Sequence, residues 1–375
     1  MSASSILNNA ARILKVVQAG TPADQALRGS LTQTRHYTAP GERRGISRAV
    51  FAYYRWWRWL NEKESPQKQL AAALELQARF DKSPESIKPA ALAARAVPDW
   101  LKTEMDDIPV AWLQQLQREP ALWIRPKQGL ETRVVPALGK CEAAAVEAPG
   151  IKTNAYRYTG ITDLYRTDGF QTGEFEIQDL ASQLVGHAAA PKPGETWWDA
   201  CAGEGGKTMH LSDLMQNKGL LWASDRSLRR LAKLKERAAR AKVFNFRAAQ
   251  WEGTTKLPTK TKFDGILIDA PCSGIGTWQR NPHARWTTLP NDVRELAAVQ
   301  KQLLENVSGS LKPGGRLVYA VCTLARAETT AIADAFTAAH PELTPDPVLG
   351  RTPQLTLWPQ DLNANGMFIA AWRRR

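Results

Sequence analysis

Thiols and imidazoles are scarce in this chain: its 375 residues include four cysteines and five histidines. Cys141, Cys201, Cys272 and Cys322 form no CxxC pair and the histidines are scattered, so no structural zinc site is expected. Four thiols are also too few for a disulfide framework in a chain this long. No apolar run approaches the roughly 18 residues that cross a bilayer. The stretch Met1–Ser5 lacks a basic segment followed by an apolar one, so no secretory leader is expected. The reading is a soluble, reduced, cytoplasmic protein without metal or membrane partner, and a monomer is the expected state.

Acidic residues are in deficit, 37 against 50 Lys and Arg, for a formal charge of +13. Such an excess suits a polyanion, because neutralised phosphates release counterions. Much of it lies early, with nine Lys and Arg against two acidic residues through residue 60.

Residues 1–107 read as an all-helical domain. Apolar residues recur at helical spacing over Ile6–Ala19 and Ile46–Leu60, and Pro66, Pro84, Pro89 and Pro98 divide the rest into short helices. In Tyr53–Trp59, aromatics alternate with arginines. Rings at spacings of three and four belong mainly to a core, leaving the arginines as RNA contacts. Residues 108–160 read as a linker and small mixed segment, with strands at Trp123–Pro126 and Thr132–Val135. Residues 161–375 alternate strand and helix. Strands are expected at Glu195–Asp199, Leu220–Ser224, Val243–Arg247, Phe263–Ile268 and Arg316–Val321, with helices after Gly206, Arg226, Pro290 and Arg326. Alternation of this kind predicts an α/β domain with a doubly wound parallel sheet. Leu355–Trp358 and Met367–Trp372 are expected to close it as an antiparallel hairpin.

The first expected strand runs into Asp199-Ala200-Cys201-Ala202-Gly203-Glu204-Gly205-Gly206-Lys207-Thr208. Glycines there let a ligand approach the backbone, and the helix N-terminus beyond favours negative charge. The next strand ends at Asp225, where an acidic residue commonly holds ribose hydroxyls; the alternative is an N-cap of the following helix. No glycine stands five residues before Gly205-Gly206-Lys207-Thr208, which disfavours a nucleoside-triphosphate loop. Two more strands run into Asp269-Ala270-Pro271-Cys272-Ser273-Gly274 and into Cys322-Thr323. A parallel sheet brings all three strand ends to one edge, where such folds bind ligands. Two thiols beside a nucleotide-like cofactor suggest covalent catalysis on an electrophilic base.

These motifs resemble those of the RsmB/Nop2/Sun family of S-adenosylmethionine-dependent RNA cytosine-5 methyltransferases. The turn at 199–208 is similar to the family's cofactor motif, with Gly203-Glu204 where Ala-Pro is usual. The segment 269–274 matches its fourth motif. Cys322-Thr323-Leu324 with Glu328 matches its sixth, with Val321 where threonine usually precedes the cysteine. The resemblance covers roughly residues 120–375. It implies a Rossmann-like methyltransferase domain using S-adenosylmethionine, with cofactor contacts from Cys201, Ala202, Gly203, Glu204, Gly205, Gly206, Lys207, Asp225 and Asp269. The family's usual acidic adenine contact is missing after the third strand, so Gln250 or Trp251 is expected to take that place.

By the same resemblance Cys322 is the nucleophile that adds to carbon 6 of cytosine, and Cys272 promotes loss of the carbon 5 proton and release. Asp269 is close enough in sequence to touch the base and offset charge developing on addition. Arg280, Arg285 and Trp286, just beyond Cys272, are expected to hold flanking RNA. Cys201 and Cys141 read as small buried hydrophobes. The N-terminal part resembles the NusB-like RNA-binding domain of bacterial ribosomal members, on Ala26-Leu27, Glu42-Arg43-Arg44 and Phe51–Arg55. That implies small-subunit ribosomal RNA as substrate, with transfer RNA as the alternative. A non-catalytic RNA-binding protein would usually have lost a cysteine or the glycine turn. A small-molecule methyltransferase would need neither two thiols nor a basic helical domain.

Overall fold

The computed structural model describes residues 3–33, 39–146 and 153–375. These fall into two compact units, Met1–Pro120 with Thr277–Pro290, and Ala121–Gly276 with Asn291–Arg375. The expected linker thus divides: residues 108–120 join the first unit, 121–146 and 153–160 join the second, and 147–152 lie outside the described residues.

The first unit is helical: Ala3–Gln18, Ala23–Gln33, Pro40–Trp56, Pro66–Lys82, Pro89–Arg95 and Val110–Gln115. Prolines start several of these because a first-turn residue needs no amide donor. At Pro66 the Ser65 hydroxyl completes the start by accepting from the Lys68 amide. Leu14, Leu27, Val50, Tyr53 and Tyr54 are buried together between the first three helices. The rings of 53–56 are therefore mainly core. Arg55, expected as an RNA contact, is buried too, its guanidinium donating to Gln77 Oε1 at 2.9 Å. Burial is the main reason its pKa falls to about 10.

The second unit holds two sheets. The smaller has the order β2-β3-β1-β4, from Leu122–Pro126 (β1), Cys141–Ala143 (β2), Tyr156–Tyr158 (β3) and Phe175–Ile177 (β4). Thr132–Val135 is helical here, inside Glu131–Leu138. The β-branched residues favour a strand locally, but Leu130, Val134 and Leu138 recur every fourth residue and pack on Tyr158 and Phe175.

The larger sheet comprises Thr196–Asp199 (β5), Leu220–Asp225 (β6), Phe246–Gln250 (β7), Phe263–Asp269 (β8), Leu311–Val321 (β9), Leu343–Pro345 (β10), Gln354–Leu357 (β11) and Met367–Arg374 (β12). Its order is β10-β12-β9-β8-β5-β6-β7, with β11 also on β12. Strands β5 to β9 pair in parallel, and β12 runs antiparallel to β9 and β11. Alternate side chains feed two cores. Trp197, Leu267 and Val318 enter one, and Trp198, Ile266, Ile268 and Tyr319 enter the other. Burial on both faces explains why these strands read as continuous apolar runs. Strand order reverses about β5, between β6 and β8, which makes the C-terminal ends of β5 and β8 the natural ligand crevice.

Candidate active site

Four strand ends build the site. After β5, Gly203 and Gly205 take φ of 56° and 84°, and the helix Gly206–Leu214 begins. At Gly205 a side chain would be strained by that φ and would also put a Cβ 2.6 Å from Met209 Cε and 2.7 Å from Leu234 Cγ. The turn is stapled to the end of β6: the Ala202 amide donates to the Ser224 carbonyl at 2.8 Å, and the Gly203 amide to Asp225 Oδ2 at 3.0 Å. Asp225 Oδ1 accepts from the Ser227 amide at 2.8 Å, while Ser227 itself caps the next helix by accepting from Arg230. The N-cap alternative for Asp225 is therefore filled by Ser227.

Asp199, at the end of β5, is wholly buried and accepts from the Thr208 hydroxyl at 2.6 Å. Its other oxygen has no protein partner among the described residues. Burial pushes its pKa up to about 7, against the Thr208 hydrogen bond. Lys207, in the first turn of the helix, reaches across to Asp269 at the end of β8, 2.6 Å from Nζ to Oδ2. Burial opposes its charge, but Asp269, then Cys322 and Asp199, outweigh it and hold the ammonium above its ordinary pKa.

The parallel register aligns Asp269 with Ala320, so the chain leaves β8 and β9 side by side. Two and three residues on, the thiols of Cys322 and Cys272 lie 3.3 Å apart. The Cys272 thiol is pushed far up, first by its hydrogen bond with Cys322, then by burial and by the charges of Cys322 and Glu328. These causes hold the proton on Cys272, while Cys322 is the thiol that interacts with the Lys207 ammonium. Cys201 is also pushed well up, by burial and by Asp199, Asp269 and Asp225, which disfavours a thiolate there. Burial likewise raises Cys141, in β2 of the smaller sheet.

Behind the thiols lies a polar cluster whose site role the sequence reading missed. Glu328 is wholly buried and accepts from the Ser273 amide at 2.9 Å, Gln300 Nε2 at 2.9 Å, the Thr323 hydroxyl at 3.1 Å and the Ser273 hydroxyl. Position 328 was legible only as a motif landmark.

The other expected residues separate. Gln250 is exposed at the end of β7, its amide donating to the Arg226 carbonyl and to Glu252 Oε1. Trp251 is buried against Trp198, its indole donating to the Thr254 carbonyl. Glu204 is exposed, and its carbonyl accepts from Arg237. Arg280, Arg285 and Trp286 all belong to the helical unit. Arg280 is exposed. Arg285 departs from the RNA-contact expectation: it is wholly buried, and its guanidinium donates to the Ala96 and Leu116 carbonyls, each at 2.9 Å. Burial, then Arg55, lowers its pKa to about 9. Trp286 is half-buried, donating to the Tyr54 carbonyl at 2.7 Å and packing edge-on to Trp57.

Among the described residues, no helix is long and apolar enough to cross a membrane, and no group of three His, Cys, Asp or Glu is placed to hold a metal. Residues 187–373 match the family described as 16S rRNA methyltransferase RsmB/F. A relative from Bacillus subtilis (strain 168), a probable ribosomal RNA small subunit methyltransferase B, is 36% identical over 222 residues, covering 56% of this chain and 50% of its own. The chain spans between half and 66% of the length of the first curated relatives it matches. Among solved structures, PH0851 covers 100% of this chain and 99% of its own at a TM-score of 0.78 and 21% identity, a likeness of fold. NSun6 from Pyrococcus horikoshii, solved with SFG, is 29% identical at a TM-score of 0.51, covering 57% of this chain and 56% of its own. The chain belongs to the RsmB/Nop2/Sun methyltransferase family.

Proposed function

We propose that this protein methylates carbon 5 of a cytosine in RNA, 16S ribosomal RNA in particular, through a covalent Cys322 adduct that Cys272 resolves. One observation carries the reading: two thiols in contact at the strand-end edge, one held protonated and the other beside a lysine. The chemistry needs that inequality. Carbon 5 of cytosine is a weak nucleophile, and a thiolate adding at carbon 6 moves an electron pair onto it. S-adenosylmethionine supplies the electrophilic methyl group. Loss of the carbon 5 proton then restores the ring double bond and expels Cys322.

The cysteine pair suits that sequence. Once Cys322 is bound to carbon 6 it is a neutral thioether, and its charge and thiolate acceptor no longer hold the proton on Cys272. Two of the three largest causes of the raised Cys272 pKa are thereby removed. Cys272 becomes the stronger acid only after the first step, which suits it to exchange the carbon 5 proton, directly or through water, in the second. Asp269 is held by Lys207, and we assign it to the cytosine amino group or ring nitrogen.

The cofactor assignment rests on the fit of the residues. A glycine turn opening a helix admits a nucleoside close to the backbone, and Asp225 keeps a lone pair on each oxygen for ribose hydroxyls. Asp199, Asp225 and Asp269 around the turn suit a ligand carrying positive charge. The NSun6 structure containing SFG, an S-adenosylmethionine analogue, supports the same choice. We assign cofactor contact to the 201–207 turn, Asp225 and Asp269, with Gln250 at the adenine edge.

RNA follows from the family, and the ribosomal target from the names of the relatives. In the helical unit, which we take as a NusB-like RNA-binding domain, Arg12, Lys15, Arg28, Arg44 and Arg48 are exposed. Arg280 is the remaining exposed basic residue of the segment beyond Cys272 that we assign to RNA. The test is methyl incorporation from labelled S-adenosylmethionine into protein-free 16S ribosomal RNA and into transfer RNA. The reading expects 5-methylcytosine in the ribosomal substrate. Label in transfer RNA alone would move the substrate, and label in neither would overturn the assignment.

A further inference from the structure

The polar cluster behind the thiols has a form that neither fold nor burial requires. We propose that the Glu328 carboxylate is a positioning residue that clamps the two cysteine loops together and so fixes the contact between Cys272 and Cys322. This rests on the methyltransferase reading for its purpose but not for its test.

The hydrogen bonds divide between the two loops. From the Cys272 loop come the amide and hydroxyl of Ser273, the very next residue. From the Cys322 loop comes the hydroxyl of Thr323, again the next residue. The Ser273 and Thr323 hydroxyls are also 2.9 Å apart. Gln300, buried on the helix Pro290–Ser308, links the same parts: Nε2 donates to the Pro271 carbonyl and to Glu328 Oε1, both at 2.9 Å. Its Oε1 lies 2.9 Å from the Tyr319 hydroxyl, which is also 2.7 Å from the Glu328 carbonyl. Four donated hydrogen bonds on one buried carboxylate make it the node through which each cysteine's neighbour is held.

The node is also ionisable: burial raises the Glu328 pKa, and the hydrogen bonds from Ser273, Gln300 and Thr323 favour its charged form. The ionisable groups facing Cys272 are Cys322, Glu328 and Tyr319, while Lys207, paired with Asp269, faces Cys322. Glu328 is one of the groups that hold the proton on Cys272. Position and charge are separable by substitution. In Glu328→Gln the amide carbonyl can stand where Oε1 is and accept from the Ser273 amide and Gln300. The amide nitrogen then faces two hydroxyls that are able to accept. The clamp is kept and the charge removed. Glu328→Asp keeps the charge on a stem too short to reach both loops, and Glu328→Ala removes both.

Two measurements on the full chain, without RNA or cofactor, decide the matter. The first is the rate of Cys272–Cys322 disulfide formation with diamide, whose azo group takes up the two electrons and two protons released. Glu328→Gln should crosslink within about twofold of wild type, and Glu328→Asp and Glu328→Ala should slow by about tenfold or more, because a disulfide needs close, aligned thiols. The second is the pH dependence of Cys272 alkylation by iodoacetamide, read by peptide mass spectrometry, which should move to lower pH in Glu328→Gln. Wild-type crosslinking in Glu328→Asp would overturn the clamp, and should Glu328→Ala fail to fold, Glu328→Asp alone decides. An unmoved Cys272 profile in Glu328→Gln would overturn the role of the charge. Neither result depends on methyl transfer, so failure here and failure of the proposed function are distinguishable.

Discussion

Gly205 and Gly206 are adjacent and chemically identical, yet alanine should do opposite things at the two positions. At Gly205 it must adopt φ near 84°, which costs a residue with a Cβ about 1–2 kcal/mol. The new methyl would also lie 2.6 Å from Met209 Cε and 2.7 Å from Leu234 Cγ. The methionine tip can move, but Leu234 is wholly buried in a small cluster with Leu231, Ala202 and Ala223. Overpacking of this kind costs about 1–3 kcal/mol. Gly205→Ala should therefore lose about 3 kcal/mol, or about 6–12 °C in Tm for a unit of this size. At Gly206 a Cβ meets nothing within 4 Å and φ is not positive. Gly206→Ala should unfold within about 0.5 kcal/mol of wild type, yet bind S-adenosylmethionine about tenfold more weakly by crowding the backbone approach. Thermal unfolding without ligand and titration calorimetry with S-adenosylmethionine separate the effects. Unchanged Tm in Gly205→Ala together with unchanged affinity in Gly206→Ala would refute the account of the turn.

Two further outcomes test other parts of the structure. Arg285→Met should leave the buried Ala96 and Leu116 carbonyls without their donor and cost about 2–4 kcal/mol, with S-adenosylmethionine affinity unchanged; a wild-type melting curve would return Arg285 to the surface. His187, held neutral by burial and then by Arg125, has its pKa lowered to about 4 from an ordinary 6.5. Its contribution to stability is complete above 6.5 and lost as pH falls toward 4, by up to about 3 kcal/mol, because the unfolded chain takes the proton first. Urea unfolding across that window should be less steep in pH for His187→Leu, and an identical slope would contradict the reading.

The parallel strands were legible because burial on both faces leaves uninterrupted apolar runs. Where strand and helix meet, tertiary context decided instead. The third parallel strand was expected from Val243 and begins at Phe246. Lys242 has a φ of 52°, and the Val243 amide still bonds back to the Ala238 carbonyl, so the helix ending occupies those residues. At the site, Asp269, Cys272 and Cys322 stood out because each ends an apolar run in a recognisable motif. The role of Glu328 did not, because a clamp is a property of four partners gathered from three places in the chain. Arg285 misled for a related reason. An Arg-Trp pair beyond a cysteine motif reads as an RNA grip, and nothing local reveals that two carbonyls from distant helices will surround the guanidinium.

The division of labour between the thiols is tested most directly by trapping the covalent adduct. Protein incubated with 16S ribosomal RNA and S-adenosylmethionine, then denatured, would be analysed by gel and intact mass. Cys272→Ala should accumulate a protein–RNA adduct that survives denaturation, because Cys322 still attacks and release is blocked, and Cys322→Ala should give none. An adduct in Cys322→Ala with none in Cys272→Ala would reverse the assignment, and absence of adduct from both would contradict covalent catalysis by this pair.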